Sequence, residues 1–164
     1  TFFYLSKYRF IGDHTYEVYS CWRRRMGLRY GLLLQDAGNE VDFIDGWEKN
    51  VEKMHEQGGV YVSRDHEDKH LVPLKVSYPE DYTGNPDCFI FFLKQMQLSD
   101  MLKRCARFFK PNQYAFTCMN GMGHVEKLLQ YFKPEKVIAG TALVATVLNA
   151  PATLTLSASA VLVQ

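Results

Sequence analysis

No C-x-x-C pair occurs among the four cysteines, Cys21, Cys88, Cys105 and Cys118, and none has the tight cysteine-histidine spacing of a structural zinc site. Zinc fingers and ribbons are thereby excluded, and reduced thiols in a cytoplasmic protein are the expectation. Excess charge is also missing: 19 Lys and Arg against 18 Asp and Glu leave a net +1, which offers neither nucleic acid nor an anionic membrane a reason to bind. The opening stretch TFFYLSKYRFIG has no methionine and interrupts its apolar residues with Lys7 and Arg9, a poor secretory signal. Residues 150–164 carry no charge, but Ser and Thr break the apolar run, which is too short to span a bilayer. His55, His66 and His70 lie in or near the charged stretch RDHEDKH, where interleaved Asp, Glu and Lys suit a solvated loop and meet no metal-ligand pattern. No metal is expected.

What remains is an ordinary globular composition, with 47% hydrophobic and 14% aromatic residues in 164, enough for one domain with its own core. Leu28 to Ala37 has the leucine spacing of a helix that opens at Met26-Gly27 and ends at Gly38. Glu40 to Asp45 alternates as a strand, and Gly46 to Gln57 reads as an amphipathic helix with Trp47, Val51 and Met54 on one face, stopped by Gly58-Gly59. Val60 to Ser63 and Leu71 to Ser77 are two short strands around the charged turn, and Pro79 and Thr83 to Pro86 mark a loop. Cys88 to Leu93, CFIFFL, is continuously apolar, as a strand buried on both faces must be. A helix from about Ser99 to Phe109, a strand from Tyr114 to Met119, a turn Asn120 to His124, a helix from Val125 to Phe132 and a strand from Lys136 to Ala139 complete the series. The alternation predicts an α/β fold, a Rossmann-like parallel sheet with helices on both faces.

Such a fold grips a dinucleotide with G-x-G-x-x-G between its first strand and first helix, and these glycines are absent before Met26-Gly27. Permitted codons for Tyr16 to Arg25, read one base later, spell Met-Lys-Phe-Ile-Ala-Ala-Gly-Ala-Gly-Ala and then rejoin Met26-Gly27 if a base is missing. The hidden product is a strand followed by G-A-G-A-M-G. Tryptophan has a single codon, so the shifted triplet that begins with its two guanines must encode glycine before a C or A. A second shift after Asn149 would turn Pro151 onward into a charged strand and turn, Gly-Asp-Val-Asp-Phe-Ile-Gly-Lys-Arg-Gly-Ala-Gly. Residues 1–25 are therefore expected to be an out-of-frame leader and 150–164 an out-of-frame tail, around an informative 26–149.

In an open parallel sheet, ligands sit at the carboxyl ends of the strands. Lys94 stands there after the buried strand, as a surface charge or as a donor to cofactor ribose, phosphate or a substrate carboxylate. Asn120, after the next strand, is a turn residue or an amide that meets cofactor and substrate together. Asp45 ends the second strand, either as an acceptor for ribose hydroxyls, which would repel the extra phosphate of NADP, or as an acid favoured at a helix start. Lys49 could offset that repulsion, which leaves cofactor choice open.

The stretch FFLKQMQLSDMLKRCARFFKPNQYAFTCMNGMGHVEKLLQYFKPEKVIAGTALVATVLNAP resembles ketopantoate reductase (2-dehydropantoate 2-reductase), in which a strand ending in Lys, a helix and Asn-Gly-x-Gly recur in this order. GLRYGLLLQDAGNEVDFIDGWEKNVEKM is similar to the family's first helix, second strand and second helix. The resemblance covers about Met26 to Asn149 and implies a Rossmann-like NADP-binding domain, truncated before the helical C-terminal domain that supplies the family's catalytic lysine, so that no catalytic residue is expected here. It implies reduction of 2-dehydropantoate, a small-molecule 2-keto acid, to pantoate with NADP(H), on the route to pantothenate and coenzyme A; NAD(H) is the alternative cofactor. By position, Met26 and Gly27 close the glycine motif, Lys94 and Asn120 meet cofactor and substrate, and Thr146 contacts cofactor. Cys21 to Arg25 departs from the family's small residues, so this chain is expected to bind cofactor weakly and to turn nothing over. The rivals are another two-domain 2-hydroxyacid dehydrogenase and a non-enzymatic nucleotide-binding module.

Overall fold

The structure, a computed structural model, describes residues 17–22, 25–64, 68–143, 146–156 and 160–162. Strand β1 (Glu17–Trp22) is followed by helix α1 (Arg25–Asp36), strand β2 (Glu40–Ile44) and helix α2 (Glu48–Gln57). Both helices stop at glycines whose left-handed geometry a side chain would oppose, Gly38 at φ 86° and Gly58 at φ 75°. Strands β3 (Gly59–Arg64), β4 (His70–Pro73), β5 (Lys75–Ser77) and β6 (Cys88–Phe92) come next, then helix α3 (Gln95–Cys105), strand β7 (Tyr114–Thr117), the short helix α4 (His124–Leu128) and strand β8 (Val137–Ala139). Four further strands close the described chain: β9 (Thr141–Leu143), β10 (Thr146–Ala150), β11 (Thr153–Leu156) and β12 (Ala160–Leu162).

Six of these strands make one sheet in the order β5-β2-β1-β6-β7-β8, with every pair parallel. Alternate residues of its strands feed opposite faces. On one, Val41, Phe43, Ile90 and Phe92 pack with Leu28, Tyr30 and Leu32 of α1 and Val51 and Met54 of α2. On the other, Ile44, Phe89 and Phe91 pack with Leu98 and Leu102 of α3 and Leu128 of α4. β6 supplies both faces, and that is why its sequence is an unbroken apolar run; each fully buried Phe contributes about 1.5–3 kcal/mol over an exposed one. The expected doubly covered parallel sheet is the fold observed.

Several boundaries differ from the sequence reading. The helix expected from Ser99 begins at Gln95, directly after Lys94 in extended geometry, and its last turn, Ala106–Phe108, tightens to a 3-10 helix. The single strand expected over Leu71 to Ser77 is two strands in two sheets, with β4 antiparallel to β3 and β5 parallel to β2. The helix expected to run to Phe132 is regular only to Leu128. The leader and tail boundaries do not coincide with breaks in the fold. β1 is the central strand, in register with β2 and β6, as the β-prone YEVYSCW allows. β10 crosses Asn149, and β11 joins β3 in a second sheet ordered β10-β11-β3-β4, with Ala152, Leu154 and Leu156 buried in the core. Residues 1–16 of the expected leader lie outside the described residues.

A glycine that the sequence did not single out sets how closely α1 approaches the sheet. A Cβ on Gly31 would stand 2.3 Å from Cε1 of the fully buried Phe43. Gly31→Ala is expected to destabilise the chain by about 1–3 kcal/mol through overpacking, despite alanine's better helix propensity, as a lower midpoint in urea unfolding.

Candidate nucleotide-binding crevice

β1 leads through α1 to β2 on one side, while β6 lies on β1's other side, so the chain changes direction between β1 and β6. A crevice opens beyond the carboxyl ends of strands at such a switch point. β1 ends at Trp22, paired with Phe92, and α1 begins at Arg25; residues 23–24 between them lie outside the described residues. In α1, Gly27 is buried and Met26 is half-buried against the core.

The walls on the β6 and β7 side are two loops held at one level by strand register. Phe91 pairs with Thr117, so Lys94 and Asn120 each stand three residues past that step, and both are exposed. Cross-links tie the loops together. The Leu93 N–H donates to the Met119 sulfur at 3.2 Å, and Thr117 Oγ1 donates to the Phe91 carbonyl and accepts from the Met119 N–H, both at 3.3 Å. Gln95 Nε2 donates to the Met122 carbonyl, and Lys127 Nζ donates to the Gln95 carbonyl at 3.2 Å. Gly121 and Gly123 adopt φ 103° and 84°, and a Cβ on either would come within 3.1–3.2 Å of the Gln95 amide. The Asn-Gly-x-Gly spacing is therefore a packing requirement as well as a turn. Sequence reasoning passed over Gln95 because it placed the helix start four residues late.

Beneath the loops, burial pushes up the phenol of Tyr30 and the thiol of Cys118, and at the amino end of β6 burial followed by the Asp87 charge pushes the Cys88 thiol up to about 12. These groups stay neutral at physiological pH, and Cys88, Cys105 and Cys118 are free thiols.

Asp45 stands at the expected strand end, yet its side chain is fully buried. Its Oδ1 accepts from the Trp47 N–H at 2.9 Å and its Oδ2 from Asn50 Nδ2 at 2.8 Å, so both oxygens serve the start of α2. The carboxylate is shut off from solvent and engaged by Trp47 and Asn50 beside the start of α2, as the helix-start alternative has it. Asn50, also missed, hands the link onward by accepting the Ala152 N–H on Oδ1 at 2.8 Å. Lys49 is exposed on α2. Thr146 opens β10, whose backbone runs beside α1; its side chain lies outside the described residues. Of the six expected cofactor contacts, the fold brings Met26, Gly27, Lys94 and Asn120 to the carboxyl ends of the central strands.

The residues at the Lys94 and Asn120 end fit a nicotinamide dinucleotide, since two exposed polar side chains stand level on adjoining loops at the carboxyl ends of the strands. Between β1 and α1 the sequence reads Trp22-Arg23-Arg24-Arg25, whereas a dinucleotide-binding sheet has residues without bulk between its first strand and first helix. Lys94 can donate to an anionic or carbonyl oxygen, and Asn120 can both donate and accept.

Comparison with known proteins gives a uniform picture. A 2-dehydropantoate 2-reductase of Streptococcus pyogenes serotype M1 is 30% identical over 123 residues, which cover 75% of this chain and 39% of the relative. That of Lactococcus lactis subsp. lactis is 29% identical over 129 residues, 77% of this chain and 40% of the relative. Among solved structures, D-mandelate dehydrogenase in ternary complex with NADH and anilino(oxo)acetate superposes with a TM-score of 0.80 at 26% identity, over 85% of this chain and 45% of the other. A protein of Enterococcus faecalis assigned as a 2-dehydropantoate 2-reductase gives a TM-score of 0.78 at 25% identity, again over 85% and 45%. This chain thus spans less than half the length of each of these four relatives. The sequence model described as Ketopantoate reductase PanE/ApbA matches residues 25–163, from the first residue of α1 through β12, and the chain belongs to that family.

Proposed function

We propose that this chain is the nucleotide-binding half of an NADPH-dependent reductase that converts 2-dehydropantoate to pantoate, and that its β1-α1 turn leaves it with a weak grip on the cofactor. The observation that carries the reading is the level placement of Lys94 and Asn120 on cross-linked loops beyond β6 and β7, inside a chain of this family. Bound NADPH would supply the hydride. Met26 and Gly27 would flank its pyrophosphate, Thr146 would lie along the cofactor, Lys94 would donate to ribose, phosphate or the substrate carboxylate, and Asn120 would orient the nicotinamide against the keto acid. The group that protonates the new alkoxide belongs, by family resemblance, to a lysine in a helical second domain.

The damaged turn is read as the product of one frame shift, and residues 150–164 as that of another. Sequencing the nucleic acid across codons 16 to 26 and 149 to 164 tests this directly. Calorimetric titration of the chain with NADPH is expected to give millimolar affinity or no heat. A micromolar dissociation constant would overturn the weak-grip reading, and in-phase codons for Trp22 and the arginines behind an authentic start would overturn the frame reading. A second substrate reading, another 2-hydroxy acid dehydrogenase, is favoured by the D-mandelate dehydrogenase likeness at a TM-score of 0.80. A polypeptide encoded in the restored frames and continued to the relatives' length decides between them, since our reading expects faster reduction of 2-dehydropantoate than of phenylglyoxylate, the keto acid of mandelate, and the reverse order sinks it.

A further inference from the structure

Six methionines are spread along the chain, and burial divides them. Met54, Met101 and Met119 are 1%, 4% and 8% exposed, and Met26 is half-buried against the core. Met96 and Met122 are each 90% exposed, whereas no other large apolar side chain among the described residues exceeds 42%. Both stand at the crevice. Met96 lies in the first turn of α3, two residues after Lys94, and Met122 lies two residues after Asn120. Gln95 joins them, since its amide donates to the Met122 carbonyl and Met96 is the next residue in the chain.

An exposed thioether reacts with peroxide through its sulfur lone pair without first losing a proton, whereas a thiol must ionise to do so. The described thiols are poorly placed to compete: Cys105 is 1% exposed, and burial pushes the thiols of Cys88 and Cys118 up. Two of the buried thioethers are also engaged, Met119 by the Leu93 N–H at 3.2 Å and Met101 by the Cys105 thiol at 3.7 Å. Peroxide that reaches these sulfurs therefore meets Met96 and Met122 first.

We propose that Met96 and Met122 are a pair of oxidation sites, where hydrogen peroxide forms methionine sulfoxide and so weakens nicotinamide binding between Lys94 and Asn120. The regulatory half of the inference rests on the nucleotide-binding reading above. In the reaction, sulfur donates an electron pair to one peroxide oxygen, the S–O bond forms as the O–O bond breaks, and the departing hydroxide takes the proton from the transferred oxygen to leave as water. Sulfur is oxidised by two electrons and the peroxide is reduced. Each sulfoxide oxygen is a strong acceptor that holds water at the mouth of the site, and a nicotinamide ring docking between the two loops has to displace that water.

Peptide mapping by mass spectrometry after dilute hydrogen peroxide is expected to find one added oxygen at Met96 and at Met122, forming about tenfold faster or more than at Met54, Met101 or Met119. Equal rates, or earlier oxidation of any cysteine, overturn the site assignment. Reduced nicotinamide mononucleotide is the binding probe, because it lacks the adenosine half and the second phosphate that the β1-α1 turn would grip. Titrated into the 15N-labelled chain and followed at the Gly121 and Gly123 amides, it is expected to bind about tenfold more weakly once both methionines are oxidised and the peroxide is removed. Methionine sulfoxide reductases A and B should restore the affinity, and Met96→Leu with Met122→Leu should leave no peroxide effect to restore. Unchanged affinity after full oxidation, a loss that persists in the leucine variant, or a lower urea midpoint in the oxidised chain overturns the regulatory role. If the probe does not bind the unoxidised chain, the nucleotide-binding reading itself fails and takes that role with it, while the oxidation sites stand or fall by the peptide map.

Discussion

Replacing the whole turn, Trp22→Gly with Arg23→Ala, Arg24→Gly and Arg25→Ala, is expected to tighten NADPH binding by about 100-fold or more, roughly 2.7 kcal/mol. The prediction runs against simple charge counting, since three cations are removed from beside a pyrophosphate. It follows from geometry. β1 ends at Trp22, α1 begins at Arg25, and Gly27 is buried in the helix's first turn, so glycines at 22 and 24 would complete G-x-G-x-x-G in its strand-to-helix setting. Backbone N–H groups can reach a pyrophosphate only where no side chain intervenes, and the helix N-terminus then adds its dipole. A companion variant with alanine at all four positions removes the charge without supplying the glycines, and less than a tenfold gain is expected from it. Fluorescence titration with NADPH measures both. Equal gains in the two variants would mean that charge or bulk, and not glycine, governs the site, and no gain in either would remove the turn from the account of cofactor binding.

The second large effect lies at Asn50. Asn50→Leu keeps the volume but strips the hydrogen bonds from a side chain that is 1% exposed, leaving one oxygen of the fully buried Asp45 and the N–H of the fully buried Ala152 without their partner. A buried carboxylate that loses one of its donors, together with an orphaned amide, should cost about 2–5 kcal/mol, a large share of the roughly 5–15 kcal/mol that stabilises a typical domain. The effect should reach beyond α2. Ala152 also accepts the Tyr61 N–H at 2.9 Å and Gln57 Nε2 at 3.1 Å through its carbonyl, so it fastens the turn between β10 and β11 to β3 and α2. Urea unfolding should show the lower midpoint, and amide exchange at Ala152 and Tyr61 should quicken. A loss under about 1 kcal/mol would show that water replaces the lost bonds and that Asn50 is no structural node.

Much of the architecture was legible because its causes are local. The apolar run CFIFFL can only be a strand covered on both sides, and Gly38 and Gly58 end helices because the left-handed conformation there opposes other residues. Lys94 and the Asn120 turn could be placed at strand ends from the alternation alone. The division of Leu71 to Ser77 between two sheets was hidden, because pairing partners lie far off in sequence and a strand's own residues do not name them. The same limit hid the place of residues 153–156, which pair in parallel with β3, 92 residues away in sequence.

By itself, then, the sequence determined the alternation of strands and helices from α1 to β8, the missing phosphate-binding glycines and the two polar side chains beyond β6 and β7. Each is written in periodicity or in residue type at one place in the chain. Only the tertiary structure decided that Asp45 faces inward to α2, that Gln95 locks the two loops, and that Arg104 lies over Gly46. Those outcomes depend on which distant groups meet once the sheet closes, and on the cost of leaving a buried charge or amide without a partner, neither of which a linear reading contains.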